Sequence, residues 1–442
     1  MEGGNIMNAV LIAVLVMIVL SLLRLNVVLA LFIGALAGGL TAGMPVADVI
    51  TTFTGGIVGG AEIALSYALL GGFAALIAYS GITEVLVDFI IGALNKDRSK
   101  KARIIAKVSI IAALLTVAVM SQNLIPVHIA FIPILIPPIL SLMNELEIDR
   151  RLIAIVLTFG LTFPYVLLPV GFGQIFQNTI VTSFDTVGVD IAFGDVAPNL
   201  ILPASGFVIG LVIALFYYRK KRNYETIQLA THQKREVSTA TVITAVLSIL
   251  ATFTVQIMTD SMIFGALAGI MIFFLSFRFK WKSLDAELIN GIQMMAYIGI
   301  VMLAANGFAT VITETGHVMS LVEGIAEALA GQKIMIVISM LLVGLVVTMG
   351  IGSSFATIPI IASIFVPMGI ELELSIPAII AIIGTAGALG DAGSPASDST
   401  LGPTAGLDAD GQHDHIWDTC VPTFIFLNIP VLVTGFIAGI VL

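Results

Sequence analysis

The chain has 442 residues, of which 58% are hydrophobic and 11% are charged, and its net charge is −9. This composition excludes a soluble globular protein, because many apolar runs are long enough to cross a bilayer. The single cysteine, Cys420, excludes an intramolecular disulfide and a cysteine-based metal site. No basic tract indicates nucleic acid as a partner, so we expect a polytopic, all-helical protein whose partners are lipid and a small solute.

The first repeat is predicted to occupy residues 1–218. The apolar run from Ile6 to Leu23 has no basic residue before it and no small-residue cleavage site, which indicates a retained span rather than a signal peptide. The predicted elements are, in chain order, spans within 6–80, an interfacial amphipathic helix at 82–94, a hairpin at 104–143, a broken helix at 152–182 and a span at 200–218.

The second repeat, residues 239–442, follows a linker at 219–238. The sequence GFAALIAYSG starting at Gly72 aligns with GFATVITETG starting at Gly307, and Glu145-Leu-Glu147 aligns with Glu371-Leu-Glu373 further on. The predicted elements are spans within 239–312, an interfacial helix at 317–329, a hairpin at 334–369, a broken helix at 376–405 and a span at 420–441.

The number of crossings per repeat decides the relation between the repeats. If each hairpin enters and leaves on one side, each repeat has an odd number of spans, and the second is inverted. In this arrangement all but one of the 19 lysines and arginines lie on one side, and only Lys333 lies opposite. The positive-inside rule makes that side, with the 219–238 linker, cytoplasmic and places both termini outside. We therefore predict two inverted repeats with about ten transmembrane helices, two re-entrant hairpins and broken helices.

The hairpin tips carry polar side chains beside helix ends. The first tip reads Ser121-Gln122-Asn123, and the second contains Ser353, Ser354 and Thr357. Because helix N-termini carry partial positive charge, these groups are candidates for binding the carboxylate of a substrate. The alternative is that the serines and the asparagine only cap the helix ends.

The break in the second repeat is acidic. Glycines and Pro395 interrupt an apolar run and leave a segment in which a helix cannot continue. Carboxylates, hydroxyls and freed carbonyls form an all-oxygen site that suits a small hard cation, and a carboxylate can instead carry a proton. The candidate residues for the ion are Asp391, Ser397, Asp398 and Ser399, and Ser394 in the same segment is a candidate for binding the substrate. The alternative is an ordinary turn at the end of a span.

The matching break in the first repeat is neutral. It carries no carboxylate, and the polar side chains in and around it are Thr158, Thr162, Tyr165, Gln174, Gln177 and Asn178. From this set we predict that Gln174 contacts the substrate. The alternative is a structural helix kinked by proline.

A second polar cluster lies beyond the acidic break. His413 and His415, among several aspartates, offer ligands of the kind that bind metals. Two histidines at i, i+2 do not share a helix face, so the spacing disfavours a metal site.

The segment GDAGSPASDSTLGPT at 390–404, the duplication and the two hairpin tips resemble the NhaC-type sodium/proton antiporter family of the ion transporter superfamily. The resemblance covers nearly the whole chain and extends to the branch assigned to amino-acid, in some cases histidine, transport. It implies a scaffold domain, a transport domain that moves as an elevator, and a homodimer. Sodium-coupled relatives carry paired Ser-Asn-Thr signatures at the tips, which this chain matches only in part.

Two functional hypotheses follow. The first is a secondary active transporter of the cell membrane, coupled to sodium or protons by symport or antiport, that moves an amino acid. The second is a sodium/proton antiporter without an organic substrate. An intramembrane aspartyl protease is disfavoured, because Ala388 replaces a required glycine and no Tyr-Asp pair occurs. We therefore expect a protein that is not an enzyme and that needs no cofactor other than a coupling ion.

Overall fold

A computed structural model describes residues 8–81, 100–123, 131–225, 238–259, 261–317, 320 and 332–442. The described residues form helices and contain no strand, which confirms the predicted all-α class. The predicted interfacial helices at 82–94 and 317–329 fall almost entirely outside this part of the chain, as does most of the linker.

The first repeat contributes eight described helices. Asn8, Asn26 and Asp149 precede three of them and cap the free N–H groups of the first turn with their side-chain oxygens. The helices are α1 (Ala9–Leu22), α2 (Val27–Thr41), α3 (Val46–Tyr79), α4 (Lys100–Asn123), α5 (Phe131–Glu145), α6 (Arg150–Leu167), α7 (Phe172–Thr186) and α8 (Phe193–Tyr217).

The described part of the second repeat follows the same order. Ser375 and Ser397 cap the two arms of its broken helix, and Asp414 caps the last helix. The helices are α9 (Thr239–Thr259), α10 (Met262–Leu275), α11 (Trp281–Glu314), α12 (Lys333–Ile351), α13 (Ser354–Glu371), α14 (Ile376–Ala388), α15 (Asp398–Leu407) and α16 (His415–Val441), the last with two π-helical stretches.

The backbone repeats at the offsets seen in the sequence. Helices α3 and α11 each have 34 residues and begin at equivalent positions of the two repeats. Glu147 and Glu373, which precede α6 and α14, both have a φ of 54°. Because a positive φ is uncommon for residues other than glycine, this matched pair shows that the two connections share one geometry.

The packing of α3 against α11 shows that the second repeat is inverted. A Cβ at Gly56 would lie 2.4 Å from Thr310 Oγ1, whereas one at Gly291 would lie 2.7 Å from the Cβ of Ala75. As the residue number rises along α3, the number of the residue that it contacts on α11 falls. The two equivalent helices are therefore antiparallel. Gly56 is equivalent to Gly291, and Ala75 is equivalent to Thr310. Exchanging the two repeats therefore converts one contact into the other, as a twofold axis requires.

Six helices in the described residues are long and apolar enough to cross a membrane, and α3, bent by 45° near Glu62, makes a seventh. The other predicted spans include the shorter apolar helices α1, α2 and α10. Helices α3 and α11 are longer than the apolar runs that they contain, at 57–80 and 288–312 of the sequence. Polar residues such as Thr51 interrupt the apolar pattern in the first turns of α3. The Thr51 hydroxyl nevertheless donates to Ala47 O at 2.9 Å within the helix.

Candidate functional site

The acidic break lies between the end of α14 and the start of α15. Gly390 and Gly393 have φ values of 88° and 87°, a conformation that favours glycine. The segment also packs too closely for larger residues, because a Cβ at Gly390 would lie 2.8 Å from Met349 N and one at Gly393 would lie 2.6 Å from the Cβ of Phe424. The break is therefore held between α12 and α16, with Asp391 inside the protein.

Asp391 is 7% exposed and accepts three hydrogen bonds from hydroxyl groups. Ser397 donates to Oδ1 at 2.5 Å, and Ser399 and Tyr165 donate to Oδ2 at 2.8 and 2.9 Å. No lysine or arginine among the described residues forms an ion pair with this carboxylate. A buried carboxylate without a cationic side-chain partner is a suitable site for a small cation or a proton.

Tyr165 joins the two repeats at this carboxylate. It lies in the last turn of α6, directly after Pro164, and its hydroxyl is 3.0 Å from Ser354 Oγ at the start of α13. Thr158, also on α6, donates to the carbonyl of Ser399 at 2.8 Å. The break of the first repeat, the second hairpin and the break of the second repeat therefore meet around Asp391.

The second hairpin tip contributes unequally to the site. Gly352, with a φ of 72°, ends α12, and α13 begins two residues later. Ser354 is buried and reaches Tyr165, whereas Thr357 donates to the carbonyl of Ser353 at 2.9 Å within its own helix. Ser353 is partly buried. Ser354 therefore joins the Asp391 cluster through Tyr165.

The first hairpin tip is described only in part. Ser121 is buried and donates to the carbonyl of Ala118 at 2.8 Å. The side chains of Gln122 and Asn123 lie outside what the structure describes.

Two further predicted residues, Ser394 and Asp398, lie in the acidic break and at its end. Ser394 is buried, donates to Met349 O at 3.2 Å and accepts from Ala396 N at 3.1 Å, so it fastens the break to α12. Asp398 is the first residue of α15 and is half-buried.

The neutral break places its two glutamines differently. Gln174 is exposed at the start of α7, whereas Gln177, one turn later, is fully buried. The Gln177 Nε2 donates to Val166 O at 3.4 Å across the break, and its Oε1 is buried without a hydrogen-bond partner. From the sequence, Gln177 was only one of several polar side chains in and around this break, and Gln174 was the predicted substrate contact. Gly173, Gln177 and Ile180 occur at helical spacing, which is the sequence signal that places Gln177 on the buried face of α7.

A charged cluster fixes the ends of both broken helices. The guanidinium of Arg150 at the start of α6 is buried and bonds to both oxygens of Asp410 at 2.5 and 2.6 Å and to Leu407 O at 2.9 Å. Burial alone would raise the pKa of Asp410, but the hydrogen bonds and charge of Arg150 hold that pKa below its usual range. The start of α6 is therefore tied to the end of α15.

Comparisons with known proteins agree on one family. A family model described as "Na+/H+ antiporter family" matches residues 156–436, and one described as "Na+-H+ antiporter family" matches residues 8–94. The Bacillus subtilis protein named "Putative amino acid transporter YuiF" is 50% identical and covers 99% of this chain and 100% of its own length. A Vibrio parahaemolyticus protein with the same identity and coverage is named an uncharacterized membrane protein.

Two solved structures also match. The Alcanivorax borkumensis YdaH transporter is 14% identical with a TM-score of 0.40, covering 89% of this chain and 88% of its own. Neisseria gonorrhoeae MtrF, described as illuminating a class of antimetabolite efflux pumps, is 15% identical with a TM-score of 0.40, covering 90% and 85%.

Proposed function

This chain belongs to the Na+/H+ antiporter family and is a cation-coupled, multi-pass membrane transporter; we propose that it moves an amino acid and that Asp391 carries the coupling ion. The family assignment confirms the resemblance seen in the sequence. The amino acid, the role of Asp391 and the movement described below are our proposals.

The observation that supports this site is the environment of Asp391. Its three hydroxyl donors come from both repeats, and no cationic side chain among the described residues neutralises it. A sodium ion or a proton would supply the missing positive charge. Because Tyr165 lies on α6 and Ser399 on α15, occupation of the carboxylate changes contacts between separate elements. An ion that binds two arrangements unequally shifts their populations, and this is the basis of coupling.

An amino acid as substrate is supported by the name of the Bacillus subtilis relative and by the polar groups near the site. The second hairpin presents Ser353 and Ser354 at the N-terminus of α13, which is a favourable position for a substrate carboxylate. The second candidate function is sodium/proton antiport without an organic substrate, which the family description favours.

The movement we propose is an elevator in a homodimer. Helices α1–α3 and α9–α11 would form the scaffold, since the α3–α11 pair is closely packed through glycines of both helices. The hairpins and broken helices would form the moving part. Gly350 on α12 offers a test, because a Cβ there would lie 2.8 Å from Val14 Cγ2 on α1.

Cross-linking tests the elevator directly. A cysteine pair at Val14 and Gly350, in a Cys420→Ser background, should stop transport when oxidised and restore it when reduced. The matched control is each single cysteine variant under the same oxidant. Transport that continues in fully cross-linked protein would contradict movement between α1 and α12.

Substitution of the carboxylate tests the proposed site. The binding ligand is first found by thermal-shift screening of the amino acids with and without sodium, since a ligand that binds the folded state stabilises it. In proteoliposomes, Asp391→Asn should abolish the sodium or pH dependence of uptake, and Asp398→Asn tests the second predicted carboxylate. Asp185→Asn, at an exposed position near the end of α7, is the matched control. Wild-type coupling in Asp391→Asn and Asp398→Asn would show that the site is wrong.

A further inference from the structure

Asn428, on α16, bonds to the backbone on both sides of Asp391. Its Oδ1 accepts from the N–H of Gly390 at 3.4 Å, and its Nδ2 donates to the carbonyl of Ala392. A peptide N–H can only donate and a carbonyl can only accept, so these partners fix which atom of the amide is oxygen and which is nitrogen. The side chain is 1% exposed, and one buried amide therefore holds the residues before and after Asp391.

A π-helical stretch of α16, Phe424–Asn428, carries this side chain. The N–H of Ile429 bonds to the carbonyl of Phe424, five residues back, which is the π-helical pattern. Phe424 also packs against the break, because a Cβ at Gly393 would lie 2.6 Å from its Cβ. Phe424 and Asn428 are about one turn apart, so one face of α16 contacts both ends of the segment from Gly390 to Gly393.

The equivalent asparagine of the first repeat has a different partner. The sequence GFVIG starting at Gly206 aligns with GFIAG starting at Gly435, which makes Asn199 equivalent to Asn428. Asn199 donates to Asp195 O at 2.8 Å, four residues back in its own helix α8, which is α-helical over its described length. The asparagine that bonds outside its helix therefore belongs to the repeat whose break carries the carboxylate.

Asp391 is thus held by two separate sets of contacts. Three hydroxyls donate to its carboxylate, and the amide of Asn428 fixes its backbone from the opposite element. Gly390, with a φ of 88°, has left the helical path, so helix hydrogen bonds do not set the direction of the chain here. A rotation of the peptide groups at 390–392 would turn the carboxylate away from its three donors. A binding group has to be held within about 0.5 Å of its working position.

We propose that Asn428 is a positioning residue for the ion site, and that it sets the affinity for the coupling ion through the peptide groups that flank Asp391. This inference rests on the proposed function, because it assumes that Asp391 binds the ion. Groups that orient a ligand without touching the ion typically change its affinity by about 10–100-fold when they are removed. The role is distinct from a contribution to folding alone, which would leave the ion affinity of the folded protein unchanged.

Hydrogen exchange tests the backbone contact without a transport assay. In Asn428→Ala, peptides that cover 389–394 should exchange up to about tenfold faster than in the wild type, since one or two hydrogen bonds are lost. Thr434→Val is the matched control, because Thr434 is also buried on α16 but donates to Pro203 O on α8 at 2.9 Å. Unchanged exchange at 389–394 in Asn428→Ala would overturn the proposal.

Ion titration tests the consequence for the site. The probes are sodium chloride titrated against choline chloride at fixed pH and, separately, pH steps without sodium, each read as a shift of the thermal unfolding midpoint. For the ion whose effect is lost in Asp391→Asn, Asn428→Ala should raise the half-saturating concentration by about tenfold. Thr434→Val should lower the midpoint without changing that concentration. A lower midpoint with an unchanged half-saturating concentration in Asn428→Ala would show a structural role only and would overturn the proposal.

Asn428→Asp provides a second variant of the same shape. A protonated aspartate can accept from the Gly390 N–H and donate to the Ala392 carbonyl, whereas an ionised one places an oxygen against that carbonyl. We therefore expect Asn428→Asp to bind the ion nearly as well as the wild type at the same acidic pH. An affinity as weak as that of Asn428→Ala at every pH would contradict a role for these two bonds.

The outcomes separate this inference from the proposed site. If Asp391→Asn removes the response to the ion while Asn428→Ala keeps the wild-type half-saturating concentration, the site stands and the positioning role is wrong. If Asp391→Asn responds to both probes as the wild type does, the proposed site is wrong, and Asn428 has no ion site to position.

Discussion

The two breaks occupy equivalent places in the two repeats, yet they have different chemistry. The break at Leu168–Gly171 exposes Pro169 and Val170 and carries no carboxylate. The break that contains Asp391 is buried and rich in hydroxyls. Duplication has kept the backbone plan, while one break carries Asp391 and the other contributes Tyr165, which donates to that carboxylate. The difference shows that repeat symmetry predicts where a break lies but not its chemistry.

The largest effect on stability is expected where the two broken helices are tied together. Arg150 and Asp410 are both buried, so Arg150→Met leaves an unpaired carboxylate and should destabilise the protein by about 3–5 kcal/mol. The double variant Arg150→Met, Asp410→Leu should recover most of this loss. Thermal unfolding in detergent measures both effects. Lys221→Met is the control, because it removes an exposed partner from the ion pair with Glu147.

The Arg150–Asp410 ion pair predicts the acid limit of stability, which is the lowest pH at which the protein stays folded. The folded-state pKa of Asp410 is depressed, so its contribution is present above its ordinary value of 3.8 and is lost as the pH falls through the lower, folded value. An unchanged acid limit in Asp410→Asn would show that this ion pair does not determine it.

An intermediate effect is expected from the hydrogen bond that joins the breaks. Tyr165→Phe removes one donor to Asp391 and should weaken the folded state by about 1.5–3 kcal/mol if the carboxylate is ionised, since a bond to a charged group is lost. The apparent affinity for the coupling ion should fall with it. Tyr217→Phe, on the exposed surface of α8, is the matched control. An unchanged ion affinity would mean that the first repeat does not contribute to the ion site.

The smallest effect distinguishes the two glutamines of the neutral break. Gln174→Leu, at an exposed position, should change stability by less than about 0.5 kcal/mol and leave uptake unchanged. Gln177→Leu removes the buried, unpaired Oε1 and should lower substrate affinity by about tenfold, the equivalent of one hydrogen bond. Radiolabelled binding of the amino acid found by screening measures both. The reverse order would restore Gln174 as the substrate contact predicted from the sequence.

The repeat and its breaks could be predicted from the sequence because they depend on local order. Glycine, proline and polar residues interrupt apolar runs wherever they occur, and the offsets between equivalent segments can be read directly. The grouping of Asp391 with Ser397 and Ser399 was also predictable, since these residues are neighbours in the chain. The contribution of Tyr165 was not, because its bond to Asp391 spans 226 residues and depends on how α6 packs against the second repeat.

Helix ends and side-chain exposure were also beyond the sequence. The start of α3 at Val46 was hidden because Thr51 is polar, although its hydroxyl is satisfied within the helix. The choice between Gln174 and Gln177 required knowing which face of α7 is buried. The late start predicted for α3 came from reading polar residues as the end of a helix, and the prediction for Gln174 awaits the binding measurement.

The reciprocal contacts between α3 and α11 bear on the ancestry of the fold. Gly56 meets Thr310 as Ala75 meets Gly291, so each repeat presents the same surface to the other. A half-length chain could present this surface to a second copy of itself inserted in the opposite orientation. In such an antiparallel pair the contact between α3 and α11 would be the subunit interface, and fusion of the two halves would fix one orientation for each. Fused halves need not remain identical, which agrees with an acidic break in one repeat and a neutral break in the other.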